Sequence, residues 1–130
     1  MRFFTILASL FLSSNQIPSG GYVGSKTLFG ETISAVVNLK DSSSLDFSIS
    51  GDFALDCKDE SYSIVGNTIV LDDLGLVGDC AHDALMDNQI TLKEIVYDDA
   101  LNQITVSVKY SIANVDIVLK PESEAWIYTM

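Results

Sequence analysis

QITVSVKY (103–110) sets Ile104, Val106, Val108 and Tyr110 on one side of an extended chain, with Thr105, Ser107 and Lys109 on the other. Side chains of a strand alternate between faces, so this two-residue rhythm describes a strand half in a core and half in water. Its β-branched residues are stiff at χ1 and suit a pleated surface. The same rhythm recurs along the chain. TISAVVNLK (32–40) sets Ile33, Ala35, Val37 and Leu39 against Thr32, Ser34, Asn38 and Lys40. SLDFSIS (44–50) sets Leu45, Phe47 and Ile49 against Asp46 and Ser48, and DFALDCK (52–58) sets Phe53, Leu55 and Cys57 against Asp52, Asp56 and Lys58.

Turn formers punctuate these runs at short intervals. KDSS (40–43), Gly51-Asp52, the hairpin signal Gly66-Asn67 inside SYSIVGNTIVL, the loop YDDALN (97–102) and Ala113-Asn114 each separate apolar segments. Pro121 closes VDIVLK (115–120), since proline has no N–H to give a ladder. ITLKEIVY (90–97) changes phase: Ile90 and Leu92 share one face, Ile95 and Tyr97 the other, which a bulge near Lys93–Glu94 reconciles. The pattern predicts an all-β domain, an antiparallel sandwich or barrel of about 8–9 strands.

GLVGDCAHDALMDN (75–88) departs from the rhythm. Cys80, Ala84 and Leu85 fall together at helical spacing, Asp79 or Gly78 can cap the start, and Asn88 can end the run in a left-handed conformation. One short helix is expected near residues 79–87. The stretch also holds the single histidine, His82, and one of the two cysteines.

The first residues read as a secretory signal: Arg2, an apolar run Phe3–Leu12, then small polar residues. The run is too short to span a bilayer, which needs about 20 residues. Cleavage is expected between residues 14 and 20, leaving 20–130 as a single all-β domain. In an oxidising compartment an even cysteine count implies a bridge, here Cys57–Cys80. Closing that loop is worth roughly 3 kcal/mol by chain entropy. No N-x-[ST] sequon occurs.

Seven basic and 18 acidic residues give a formal charge of −11, and the only arginine is Arg2. A phosphate backbone or an anionic bilayer would be repelled, so nucleic acid is not an expected partner. No later stretch is long enough for a membrane span.

Catalytic chemistries find little support. Zinc needs three or four convergent ligands, and a disulfide would consume both thiolates. Cys80 and His82 diverge by about 200° on a helix, which leaves His82 an exposed polar residue without a partner. G-x-S-x-G is absent. Thirteen aspartates and five glutamates make carboxylate pairs inevitable by number alone, so a glycosidase-like pair is not specific. DDLGLVGD (72–79) offers Asp72, Asp73 and Asp79 as a weak calcium candidate, without the alternating ligand spacing of an EF-hand loop. No cofactor is expected. Gly20-Gly21-Tyr22 places tyrosine where a G-x-W signature of apolar-ligand carriers has tryptophan, and no family is assigned. In AWIYT (125–129), Trp126 and Tyr128 are candidate partner-binding residues, since such aromatics dominate interface hot spots.

The expectation is therefore a secreted, non-catalytic binding protein, foremost a protein-interaction module of inhibitor or surface-recognition type. A carrier of a small apolar ligand inside a barrel is the alternative, and a carboxylate-based hydrolase the third reading.

Overall fold

The computed structural model describes residues 17–51, 54–110 and 113–123. The signal-like run Phe3–Leu12 and the aromatics Trp126 and Tyr128 lie outside the described residues. Eight strands run in the order β1 (Gly20–Leu28), β2 (Glu31–Leu39), β3 (Ser44–Ser50), β4 (Ala54–Val65), β5 (Thr68–Leu71), β6 (Ile90–Asp98), β7 (Gln103–Tyr110) and β8 (Ala113–Pro121). One helix, α1 (Cys80–Asp87), stands between β5 and β6. Each strand pairs antiparallel with the next and β8 returns to β1, closing an up-and-down barrel. Of the two expected architectures, the barrel is the one formed.

The alternation read from the sequence becomes the wall of the barrel. Ile33, Ala35, Val37 and Leu39 of β2, Leu45, Phe47 and Ile49 of β3, and Ile104, Val106 and Val108 of β7 all point inward and are buried. They join Ile117 and Leu119 of β8 in one apolar cluster. Outward positions carry Ser48, Asp56, Lys58, Lys109 and Asp116. This is the inverse of a membrane barrel, whose apolar band faces out and whose lumen is polar. No helix among the described residues is long and apolar enough to cross a membrane.

Turn chemistry sets the register. Val65 pairs with Thr68 across Gly66-Asn67, with Gly66 at φ +63°. Leu28 pairs with Glu31 across Phe29-Gly30, both at positive φ, as a tight hairpin matching strand twist requires. At the end of β7 the expected turn is displaced: Ala113 and Asn114 already belong to β8, paired with Tyr110 and Lys109.

Two seams are thin. β1 meets β8 through Tyr22–Pro121 and Val23–Lys120. There Gly24 passes so close that a Cβ would lie 2.1 Å from the Val118 carbonyl oxygen, so closure requires glycine at this point. β5 meets β6 only at Thr68–Val96 and Ile69–Ile95. Beyond that contact α1 packs on β4 and β6, with Ala81 and Leu85 turned to the core.

Two bulges shape the same region. Leu92 pairs with Val108 but Glu94 with Ser107, which leaves Lys93 as the extra residue expected in β6. In β4, Leu45 faces Glu60 while Phe47 faces Cys57, so β4 also carries one residue more than its partner. Asp59 takes the left-handed conformation here (φ +57°), and its N–H donates to Asp46 Oδ1 at 3.0 Å. Lys40 bridges Asp46 and Asp59 above the bulge. The two strands read separately around 52–58 and 61–65 are thus one twelve-residue strand that changes phase midway.

Candidate functional site

α1 starts where the sequence places a cap. Asp79 is extended (φ −72°, ψ 137°) and its carboxylate accepts the His82 N–H at 3.1 Å, satisfying one of the helix's orphan donors. Asp83 Oδ1 accepts the Gly78 N–H at 3.1 Å in return. At the other end Asn88 is the cap at φ −98°, and the left-handed residue is Gln89 (φ +56°), one position later than expected. The buried pair is Ala81 and Leu85; Ala84 is half-buried against the core, and Cys80 is exposed. The rotation follows from the disulfide. Cys57 and Cys80 are bridged at a Cα separation of 5.7 Å, which ties the first helical residue to β4 and turns its neighbour Ala81 into the barrel.

His82 has a partner. Its Nδ1 lies 2.7 Å from the Leu74 carbonyl oxygen, so Nδ1–H donates and ties the 72–79 loop to the helix. The histidine that looked isolated in sequence is a loop fastener.

The three calcium candidates are separately engaged. Asp72 accepts the Ser63 hydroxyl at 2.7 Å, and its N–H donates to the Ser61 carbonyl at 2.9 Å. Asp79 caps the helix. Asp73 stands close enough to act electrostatically on Glu60. Among the described residues no group of three or more His, Cys, Asp and Glu side chains is arranged to hold a metal ion.

Glu60 was not among the residues singled out in the sequence. The β4 bulge turns it to the buried face, where it is 6% exposed and the only buried charged residue among those described. It sits where β5 ends and the helix begins, and it shares a hydrogen bond with the Asp79 carboxyl. Burial foremost, then the negative charges of Asp79 and Asp73, pushes the Glu60 carboxyl up from its ordinary 4.5 to about 7. An inward carboxyl thus lies beside the carboxylate that caps the helix.

Outside this pair the wall opens into two adjoining clefts. One, of about 120 Å³, lies between Thr68–Leu71 of β5 and Leu92–Ile95 of β6, with Leu74 at its side. The second, of about 180 Å³, lies between α1 and the start of β6, lined by Leu74, His82, Leu85, Met86, Ile90, Thr91 and Leu92. Leu74 and Leu92 are common to both. Leu76, Val77 and Met86 add exposed apolar surface on the same loop and helix, at 59%, 90% and 66% exposure.

At the opposite end, Tyr22 and Tyr97 stack edge to face with centroids 6.5 Å apart, and both hydroxyls donate to Asn102 Oδ1 at 2.8 Å. Burial foremost, then the charge of Asp99, raises the Tyr97 hydroxyl above its ordinary value. Nearby, Tyr62 donates to the Asp41 carbonyl at 2.6 Å beside a cleft of about 240 Å³. These tyrosines plug that end with satisfied polar groups.

The chain matches no family model, no curated protein and no solved structure.

Proposed function

We propose that this chain is a secreted, non-catalytic recognition barrel, a protein-interaction module whose working face is the β5–α1–β6 wall. One observation carries the reading: the interior is occupied by the protein's own side chains. Val37, Leu45, Phe47, Cys57, Ile104, Val106, Ile117 and Leu119 expose nothing at all, so no space as large as a water molecule adjoins them. Eight strands enclose a bore just wide enough either to be filled by side chains or to hold one small ligand. Here those side chains leave no ligand-sized room beside them, which disfavours the carrier. Recognition then falls to the outside, where the clefts between β5, α1 and β6 combine apolar lining with exposed Leu76, Val77 and Met86. The disulfide supports an oxidising compartment.

The test joins two measurements on the secreted protein. Native mass spectrometry should return the mass of the chain without an apolar small molecule. A photo-crosslinking residue at Met86 should give a discrete protein adduct, competed by excess unlabelled protein and absent when the residue stands at Leu101 on the far rim. A co-purifying apolar ligand, or equal adducts from both positions, overturns the reading.

A further inference from the structure

β5 peels away from β6 after two residue pairs, yet it stays paired with β4, Val70 to Ser63 and Leu71 to Tyr62. The divergence coincides with the bulge at Lys93, which bows β6 at this point. From Thr91 to Glu94, β6 keeps its ladder with β7 on one side only; on the other it borders the two clefts. A strand edge left this way presents N–H and C=O groups to a further strand, with the ladder interrupted at the Lys93 bulge.

We propose that this breach is a strand-addition site, and that its occupant is an extended partner segment of alternating apolar and basic residues laid along β6 at 91–94. The inference rests on the recognition-face reading above and deepens it by naming the partner's chemistry. In an extended segment, residues two apart share a face at a repeat of roughly 7 Å, so consecutive apolar side chains can enter the two adjoining clefts. The residues between them point to the rim, where charge decides. Residues 70–98 hold seven carboxylates (Asp72, Asp73, Asp79, Asp83, Asp87, Glu94 and Asp98) against the single cation Lys93. An acidic segment would be repelled and a basic one drawn in. A second copy of this chain brings its own −11 charge and is disfavoured as the occupant.

The probe is a seven-residue capped peptide of alternating lysine and valine, labelled for anisotropy, in 0.15 M salt at about pH 7. Backbone groups of alternate residues point to opposite edges, so methylating the valine amides blocks one edge and methylating the lysine amides the other. One isomer should lose at least tenfold in affinity while its twin binds like the parent, and a glutamate-for-lysine peptide should not bind. Bound peptide should slow amide exchange within residues 91–94, at the amides that face the clefts. Leu101→Ser, on the far rim, should retain the fold and change the affinity of the basic peptide less than threefold. Leu92→Asp should lose at least tenfold, with far-UV circular dichroism checking that it folds. Equal behaviour of the two methylated peptides, or exchange protection elsewhere, overturns strand addition. If the peptide fails but the adduct at Met86 persists, strand addition falls and the recognition face stands. If both fail, both readings fall.

Discussion

Glu60→Gln keeps the shape of the side chain and removes its ability to ionise. In the native barrel the carboxyl titrates near 7 rather than at its ordinary 4.5, because burial and the neighbouring Asp79 and Asp73 oppose its charge. A carboxyl raised in this way favours the folded state while protonated. Its contribution is fully present below about 4.5 and is lost as pH rises through about 7. The interval is about 2.5 pH units at about 1.4 kcal/mol each, so ionising Glu60 costs the fold on the order of 3 kcal/mol. Asp41 and Asp46 are shifted in the opposite sense, lowered first by backbone N–H groups of Ser43 and of Asp59 respectively. Their effects fall below about pH 4 and do not overlap this window.

The assay is urea unfolding followed by far-UV circular dichroism at pH 4.5, 6, 7 and 8, with the disulfide intact. The wild-type chain should lose about 3 kcal/mol across the series from this group, and Glu60→Gln should remove that slope. At pH 8 the variant should be the more stable of the two, since its amide can donate to Asp79 without a second negative charge. Asp79→Asn should leave a smaller slope, because burial, the larger cause, remains. Parallel curves for wild type and Glu60→Gln between pH 4.5 and 8 would refute the assignment of Glu60 as a buried, late-titrating carboxyl.

Gly24→Ala should open the β1–β8 seam, since its Cβ meets backbone oxygen rather than a movable side chain. A loss of about 3 kcal/mol or more is expected, with amide exchange fastest at Val23 and Lys120. Replacing Cys57 and Cys80 together with alanine should lower stability by about 3 kcal/mol. Exchange through 72–88 should rise before that of β2, β3 and β7, and uniform acceleration would contradict the bridge's local role. Asn102→Gly preserves the left-handed backbone (φ +51°) while removing the acceptor shared by Tyr22 and Tyr97. It should cost about 1–3 kcal/mol in thermal or urea unfolding, and an unchanged midpoint would show that water replaces the amide at no loss.

Local rhythm was enough for the strands whose partners lie next in the chain. SLDFSIS and QITVSVKY become β3 and β7 with the same ends, and the break of phase in ITLKEIVY becomes a bulge at Lys93. Barrel closure was not legible, because it rests on Gly24 passing Val118, residues nearly a chain length apart, and nothing near either one marks the meeting. Phe29 in a positive-φ turn position was equally silent, phenylalanine being no turn former. The cap and the disulfide were readable because each is a pairing of residue types, whereas the rotation of α1 that buries Ala81 depends on where Cys57 stands on a folded wall.

Glu60 is the instructive miss, since the signal for it was present. Leu55 and Cys57 occupy odd positions of β4's buried face and Tyr62 an even one, the same slip of phase that gave the β6 bulge. The intervening Lys58-Asp59-Glu60 looked like polar punctuation between two strands. Asp59 supplies the left-handed residue that lets one strand change face instead, and the change carries Glu60 inward. Both bulges therefore sit on the two strands that α1 packs against, on either side of the short β5. The breach in the barrel, the helix beside it and the buried carboxyl beneath the helix cap have one cause: a wall whose strands bend where β5 stops.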